Sequence, residues 1–310
     1  MNQLATDNND VLERFQAELE RRNISQAQAA QESGVSPTTL TQLLNGKYGA
    51  DPRHQYKKLE KWLASASAAQ TLPIVPIAPD FVETPTANRV LAALGAAQIN
   101  GDISVIYGGA GLGKTTASQF YSRNYSNVFV VTMSPATASV SACLEEVCYA
   151  LGFKSPPGRA SRMQREIIRR IMGSKGLLIV DEAQHLSVSA LDALRALHDA
   201  TGIGIALVGN EAIYTAMTGG TRAAYLDRLF SRIGKRAHLS RATKADIRNL
   251  AAAMGVNTSD TKILALLEDI GKRAGALRSV VKTIRQAALM ANGSSPEFKH
   301  LEASWKDLNV

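Results

Sequence analysis

Cysteine, aromatic residues and long apolar runs are all scarce in this sequence of 310 residues. Its two cysteines, Cys143 and Cys148, suggest neither a disulfide framework nor a zinc site, so we expect buried thiols in a reducing compartment. No apolar run approaches the ~20 residues of a membrane helix, and the N-terminus lacks a signal-peptide pattern. With only 5% aromatic residues, the cores must be mostly aliphatic. We therefore expect a soluble, intracellular protein, and its length suggests about two domains.

Positive charge is concentrated in one part of the chain. The net charge is +8, and residues 151–248 hold 16 Lys/Arg against 8 Asp/Glu. Residues 1–65, by contrast, hold 8 of each. A basic excess confined to one segment indicates a polyanionic partner, although a balanced basic surface would give the same count.

A glycine-rich turn between an apolar strand and a helix is the most informative stretch. Gly108, Gly113, Lys114 and Thr115 have the spacing G-x-x-x-x-G-K-[ST] of a phosphate-binding loop. Glycines let the backbone close around a phosphate, Lys114 can reach the β- and γ-phosphates, and the Thr115 hydroxyl can ligate Mg²⁺. The nucleotide-binding residues predicted here are Gly108, Gly109, Ala110, Gly111, Leu112, Gly113, Lys114, Thr115 and Thr116.

Two later strands end in polar residues suited to NTP hydrolysis. Residues 177–180 predict a buried strand, and Asp181 and Glu182 follow it. Asp181 can hold Mg²⁺, and Glu182 can orient and polarise the attacking water. Asn210 follows the apolar strand predicted over 203–208, where it can hydrogen-bond that water or the γ-phosphate.

Arginines supply the remaining candidates for the nucleotide site. A short helix predicted over 225–233 carries arginines four residues apart, and one of them can reach a neighbouring subunit's γ-phosphate. We favour Arg232, with Arg228 second. Arg278 stands near the start of a helix opened by Gly275, where it can report the nucleotide state to a C-terminal lid.

The first 65 residues predict a small helical module. Ser25 and Ser36 are placed as helix N-caps, Gly34 makes the turn between the two helices, and Ala30 lets them approach. This pattern resembles a phage-repressor helix-turn-helix, which places its last helix in the major groove. The exposed residues of that helix are short and neutral, so we expect weak or non-specific DNA contact; a module for protein contacts is the alternative.

A second candidate DNA surface follows residue 151. Its loop contains proline and glycine, and the loop and the helix after it carry a positive charge that Glu166, the only acid there, cannot balance. We predict that these residues contact DNA phosphates, whereas a solvated basic helix face is the simpler alternative. The DNA-binding candidates are Lys154, Arg159, Arg162 and Arg165.

The ordered set of motifs resembles the AAA+ ATPases, and together with the N-terminal module it resembles the MuB family of phage transposition proteins; TnsC-type transposition regulators are more distant. The resemblance implies an α/β AAA+ core with a parallel sheet, a C-terminal helical lid and an N-terminal all-α helix-turn-helix domain. The predicted boundaries are 1–66 for the helix-turn-helix, 67–80 for a linker, 81–240 for the core and 241–310 for the lid.

The same resemblance implies a function. ATP, with Mg²⁺, would drive assembly of the protein into helical filaments on double-stranded DNA, largely independent of sequence. The filament would deliver target DNA to a MuA-like transposase and activate it. Transposase contact would stimulate hydrolysis and release, which gives target selection and target immunity in the bacterial host's cytoplasm. Two alternatives stay open: an AAA+ loader of a helicase or replication factor, and a transcriptional regulator that uses ATP only as a switch.

Overall fold

The protein divides into two compact units, residues 1–74 and 75–310. This computed structural model describes residues 2–71, 79–218, 229 and 231–308. No helix within these ranges is both long enough and apolar enough to cross a membrane.

The N-terminal unit is a helical module with its own core. The described part contains α1 (Asn2–Arg22), α2 (Gln26–Ser33), α3 (Pro37–Leu44) and α4 (Arg53–Thr71). Ser25 and Ser36 cap α2 and α3 as predicted, each accepting a hydrogen bond from a backbone N–H of the first turn. Gly34 ends α2 in the left-handed region at φ 68°, which favours glycine. The core of the unit is built around Phe15, Leu40, Leu59 and Trp62.

The last helix of this unit is longer than the sequence suggested. The Ser/Ala-rich run after Ala64 predicts a linker, yet α4 continues to Thr71. Alanine is the strongest helix former, so a run of alanine, serine and glutamine extends a helix that is already nucleated. The linker prediction is wrong for residues 67–71, and residues 72–78 lie outside the described residues.

The second unit is built on a five-stranded parallel sheet in the order β2-β3-β4-β1-β5. Its strands are β1 (Ile103–Gly108), β2 (Val128–Thr132), β3 (Leu177–Asp181), β4 (Gly204–Gly209) and β5 (Ile233–Leu239). β1, β3 and β4 are buried along their full length, because helices cover both faces of the sheet. Those helices are α5 (Pro85–Asn100), α6 (Lys114–Asn124), α7 (Val140–Ala150), α8 (Ala160–Ile171), α9 (Val188–Thr201) and α10 (Glu211–Thr218).

The strand β5 differs from the sequence prediction. The helix predicted over 225–233 is wrong at Ile233, which begins β5 and pairs with β1. Residues 219–228 and 230, including Arg228, lie outside the described residues. The strand was missed because its sequence, IGKRAHL, lacks an apolar run and only Ala237 and Leu239 are buried.

In the described part of the chain, four helices follow β5: α11 (Lys244–Ala253), α12 (Thr261–Lys272), α13 (Ala276–Met290) and α14 (Phe298–Leu308). The last of these helices is anchored on the one before it. Leu301 and Ser304 of α14 are fully buried, and the Ser304 hydroxyl donates to the Thr283 carbonyl of α13 over 2.9 Å. Phe298, Leu301 and Trp305 form an apolar stripe at helical spacing that signals this packing in the sequence.

Candidate nucleotide-binding site

The glycine-rich turn joins β1 to α6, and its glycines are required by space and by backbone conformation. Gly108 (φ 150°) and Gly111 (φ 80°) have dihedrals that L side chains rarely adopt. A methyl group at Gly108 would collide with the Leu239 carbonyl, and one at Gly111 with the Gly275 carbonyl. The loop is therefore held between β5 on one side and the start of α13 on the other.

α6 begins at Lys114 without a side-chain cap, so its first amide groups are available to an anion. The Lys114 ammonium donates to the carbonyls of Gly108 (2.9 Å) and Gly109 (2.8 Å). Burial lowers the pKa of Lys114, while the negative charges of Asp181 and Glu182 oppose that shift. The lysine thus lies in a partly desolvated position at the mouth of the loop, where its charge acts strongly on a phosphate.

The hydroxyl of Thr115 meets the end of β3. It donates to Asp181 Oδ2 over 2.6 Å, and Asp181 Oδ1 accepts from the Glu182 N–H over 2.9 Å. Asp181 is buried, with 2% of its surface exposed, whereas Thr115 is exposed. A hydroxyl and a carboxylate at this separation offer the oxygen ligands that Mg²⁺ takes beside nucleotide phosphates, so the residues present fit that ion. The described residues contain no cluster of three or more His, Cys, Asp or Glu that could hold another metal.

Glu182 and Asn210 are joined through a residue that the sequence reasoning did not single out. The Gln184 amide donates to Glu182 Oε2, and its oxygen accepts from the Asn210 N–H over 3.2 Å. The Asn210 side-chain oxygen accepts from the Ala212 N–H at the start of α10, over 2.8 Å. Asp181-Glu182-Ala183-Gln184 is a short turn after a strand, so the proximity of Gln184 to Glu182 was available in the sequence, but its contact with β4 was not.

A cleft of about 330 Å³ opens beside the phosphate loop. One wall is apolar: Phe81 and Val82 precede α5, and Leu277 and Val281 belong to α13. Phe81 stacks on Phe120 of α6 with ring centroids 3.9 Å apart. The loop residues Gly111, Leu112, Gly113, Lys114, Thr115 and Thr116 also line the cleft, together with Arg278. The cleft therefore offers both apolar and cationic side chains, as a nucleotide requires.

One buried carboxylate connects α5 to α11. Asp246, in the first turn of α11, is fully buried and accepts from the Thr86 N–H (2.8 Å) and the Thr86 hydroxyl (2.7 Å). It also accepts from the N–H and hydroxyl of Thr243, the N-cap of its own helix. A single side chain thereby caps two helices, one from each side of the nucleotide cleft.

Arg232 lies at the amino end of the parallel strands, whereas the phosphate loop lies at their carboxyl end. Ile233 pairs with Ile103 at the start of β1, whereas the loop follows the end of that strand, roughly 17–20 Å away. The Arg232 guanidinium donates to Asp199 over 3.0 Å and to the Ser231 hydroxyl over 2.8 Å. Burial raises the pKa of Asp199, but the Arg232 hydrogen bond and nearby positive charges outweigh it and lower the pKa. Arg232 is therefore remote from its own nucleotide cleft.

The predicted DNA-facing cations form an exposed surface. Lys154 and Arg159 are exposed on the loop before α8, and Arg162 and Arg165 are exposed on α8 itself. The opposite face of α8 is buried through Met163, Ile167 and Ile171. The only ion pair described along α8 joins Arg169 to Glu166. The four candidate residues are therefore exposed to solvent, whereas the opposite face of α8 packs into the core.

In the N-terminal unit, α3 presents Ser36, Thr38, Gln42 and Asn45 to solvent. The Ser36 hydroxyl donates to the Thr39 hydroxyl over 2.8 Å, and the Lys58 ammonium donates to the Gly34 carbonyl over 2.9 Å. The surface of the helix is polar and uncharged, as expected from the sequence.

The cysteines and histidines play structural roles. Cys143 and Cys148 are both buried in α7 as expected, and burial raises the pKa of Cys143 to about 12. His198 is buried in the last turn of α9, and its Nδ1 lies 2.9 Å from the Ile203 carbonyl oxygen. It closes the end of α9 onto β4.

Comparison with known proteins identifies three matching families. The family described as "Mu B transposition protein, C terminal" matches residues 231–308, "AAA domain" matches 99–217, and "Helix-turn-helix" matches 15–54. Together with the parallel sheet, these matches confirm the predicted α/β AAA+ core and N-terminal helix-turn-helix.

Two relatives span nearly the whole chain. The ATP-dependent target DNA activator B of Escherichia phage Mu is 37% identical over 285 residues, covering 91% of this chain and 90% of that protein. The Mu-like prophage FluMu DNA transposition protein B of Haemophilus influenzae is 37% identical over 274 residues, covering 88% and 94%. Among solved structures, domain III of the Thermotoga maritima replication initiation protein DnaA aligns with 76% of this chain, covering 98% of its own, at 18% identity and a TM-score of 0.49.

Proposed function

This chain belongs to the family of Mu B transposition proteins, as its sequence predicted, and from that premise we propose that it is an ATP-dependent DNA-binding protein that presents target DNA to a transposase. The observation that carries the proposal is the cleft lined by the phosphate loop and Arg278, in which the loop residue Thr115 is hydrogen-bonded to Asp181. Other parts of the second unit carry what an ATP-controlled assembly needs: lid helices, an arginine remote from the cleft and an exposed basic surface.

ATP hydrolysis is the proposed reaction. The adenine occupies the apolar end of the cleft beside Phe81 and Leu277, and the phosphates lie on the loop amides and Lys114. Glu182 accepts a proton from the attacking water as that water adds to the γ-phosphorus, and the bond to the bridging oxygen breaks to release ADP. Asn210 donates to the water or the γ-phosphate, because its side-chain oxygen is already engaged by α10.

Thr115 and Asp181 are the residues that would hold Mg²⁺, which when bound neutralises phosphate charge. The role of the protein is to keep these two oxygens together at the mouth of the loop. Arg278, on the first turn of α13, couples nucleotide contact to the position of the helical lid, since the same turn packs on Gly111.

Assembly on DNA completes the proposal. Lys154, Arg159, Arg162 and Arg165 neutralise phosphates along duplex DNA, which gives binding that is largely independent of sequence. The cleft of the same copy lies at the other end of the strands, too far for Arg232 to reach. Arg232 therefore contacts the γ-phosphate bound by the adjacent copy. ATP-bound copies form a helical filament on target DNA that activates the transposase, and hydrolysis releases the filament, which produces target selection and immunity.

The decisive experiment measures ATP turnover by the full chain alone, with duplex DNA, and with DNA plus transposase. We expect turnover to rise at each addition, and electron microscopy with ATP to show coated duplexes. Rings that leave DNA uncoated would instead indicate a helicase or replication-factor loader. Footprinting that detects one preferred operator would indicate a transcriptional regulator.

A further inference from the structure

One side chain outside the predicted site connects two residues within it. Gln184 follows β3 by three residues and lies in the short turn Ala183–His185. Its Nε2 donates to Glu182 Oε2, and its Oε1 accepts from the Asn210 N–H at the end of β4. The side-chain amide of Gln184 thus donates one hydrogen bond to a carboxylate and accepts one from a backbone N–H.

Gly209 lies directly against this bridge. A methyl group at Gly209 would collide with Gln184 Oε1, whereas its next neighbours, Gln184 N and Ile213 Cγ2, both lie at an ordinary 3.5 Å. Gly209 is not among the glycines with positive φ, so its backbone would tolerate alanine. Because the Gln184 amide is the end of a flexible side chain, a methyl group at position 209 would displace it from this place.

Glu182 needs such support because of its own conformation. It is exposed and has left-handed dihedrals (φ 53°, ψ 34°), which are uncommon for a residue with a side chain. Within the described part of the chain, Gln184 is the side chain that hydrogen-bonds its carboxylate, through Oε2. Oε1 has no hydrogen-bond partner among the described residues.

We propose that Gln184 is a positioning residue for ATP hydrolysis, holding one oxygen of Glu182 so that the other receives the proton of the attacking water at a fixed distance from Asn210. The inference rests on the proposed function. Gln184 transfers no proton: water loses it to Glu182, the new bond forms at the γ-phosphorus, and ADP leaves. Without the bridge, the Glu182 side chain samples rotamers that do not face the water.

The test compares Gln184→Met with the wild-type chain, both bound to duplex DNA. Methionine matches glutamine in size and makes neither hydrogen bond. We expect single-turnover hydrolysis to fall roughly 10- to 100-fold, the cost of a misplaced catalytic group. The KM for ATP, the affinity for a fluorescent ATP analogue and the melting temperature should be unchanged. Gly209→Ala should give the same loss by displacing the amide, and no further loss in a Gln184→Ala background.

A double-mutant cycle separates positioning from a general structural effect. Glu182→Gln with Gln184→Met should hydrolyse ATP within about twofold of Glu182→Gln alone, because the bridge acts only through Glu182. Wild-type turnover in both Gln184→Met and Gly209→Ala, beside a slow Glu182→Gln, would overturn the role of Gln184 and leave the proposed function standing. Normal turnover in Glu182→Gln would overturn both. Losses that multiply in the double variant would show that Gln184 acts elsewhere.

Discussion

Replacing Asp246 with alanine tests the connection between α5 and α11. The substitution removes four hydrogen bonds, two from Thr86 and two from Thr243, around a carboxylate that is fully buried. Thr86 is itself 2% exposed, so its N–H and hydroxyl lose partners that water does not easily replace. Thr243 is exposed, so solvent can satisfy its N–H.

The expected cost follows from these contacts. Two buried donors at about 1–3 kcal/mol each, with about 0.5–2 kcal/mol for the weakened cap of α11, give a loss of roughly 2.5–8 kcal/mol in the free energy of unfolding. Asp260→Ala is the matched control, because Asp260 caps α12 from a half-buried position through the Lys262 and Ile263 N–H groups. Loss of an N-cap alone costs about 0.5–2 kcal/mol.

Urea unfolding followed by tryptophan fluorescence measures both variants. The chain has two tryptophans, Trp62 in the N-terminal unit and Trp305 in α14, so a Trp62→Phe background makes the signal report the second unit. If the slope of the unfolding free energy against urea concentration is unchanged, the shift in the urea midpoint gives the change in the free energy of unfolding. If Asp246→Ala lowers the free energy of unfolding no more than Asp260→Ala does, the Asp246 carboxylate does not hold α5 and α11 together.

The same carboxylate gives a pH dependence with a definite sign. Burial raises the pKa of Asp246, but hydrogen bonds from Thr86 and Thr243 outweigh it, so the folded-state pKa lies below the ordinary value. Its contribution to stability is therefore present above the ordinary carboxyl pKa of about 3.9 and is lost as pH falls through the lower folded value. The stability difference between wild type and Asp246→Asn should shrink over that acidic range. A constant difference would contradict the assigned hydrogen bonds.

The remaining predictions concern the proposed function. Lys114→Ala should abolish binding of a fluorescent ATP analogue and, with it, ATP-dependent DNA coating; coating that survives would separate the two activities. Glu182→Gln should bind ATP but turn it over at least about 10²-fold more slowly, leaving complexes that persist in electron micrographs. Arg232→Ala should lower turnover by about 10³-fold in the assembled state, with no change in dilute monomer, and an equal loss in both states would exclude action between copies. Arg162→Ala should reduce the slope of log affinity against log salt by about 0.9, while Lys306→Ala on α14 should not; equal slopes would remove Arg162 from the DNA surface.

The nucleotide core was largely predictable because its signals are local. Gly108 to Thr116 has a fixed spacing, and Thr84, Ser139 and Thr243 each stand one residue before a helix that they cap. β2 (Val128–Thr132) likewise has a local signal, since it is rich in β-branched residues and bounded by polar ones.

What the sequence did not reveal depends on contacts between distant segments. β5 is identified by its pairing with β1, because Lys235, Arg236 and His238 hide its strand character. The Gln184 bridge depends on β3 and β4 being neighbours in the sheet, which sequence spacing does not encode. Likewise, Asp246 looks like an ordinary capping-box residue until Thr86, 160 residues earlier, is placed beside it.

Because Arg232 lies far from its own phosphate loop, the number of complete hydrolytic sites depends on how many copies stand side by side. Suppose that each copy supplies a phosphate loop from one end of its strands and Arg232 from the other end. An open row of n copies then contains n − 1 sites in which a loop faces the arginine of a neighbour. One end of the row always holds ATP without a partner arginine, while a closed ring has no such end. Turnover per copy would then rise with row length, and the unpaired end would be the last to release its nucleotide.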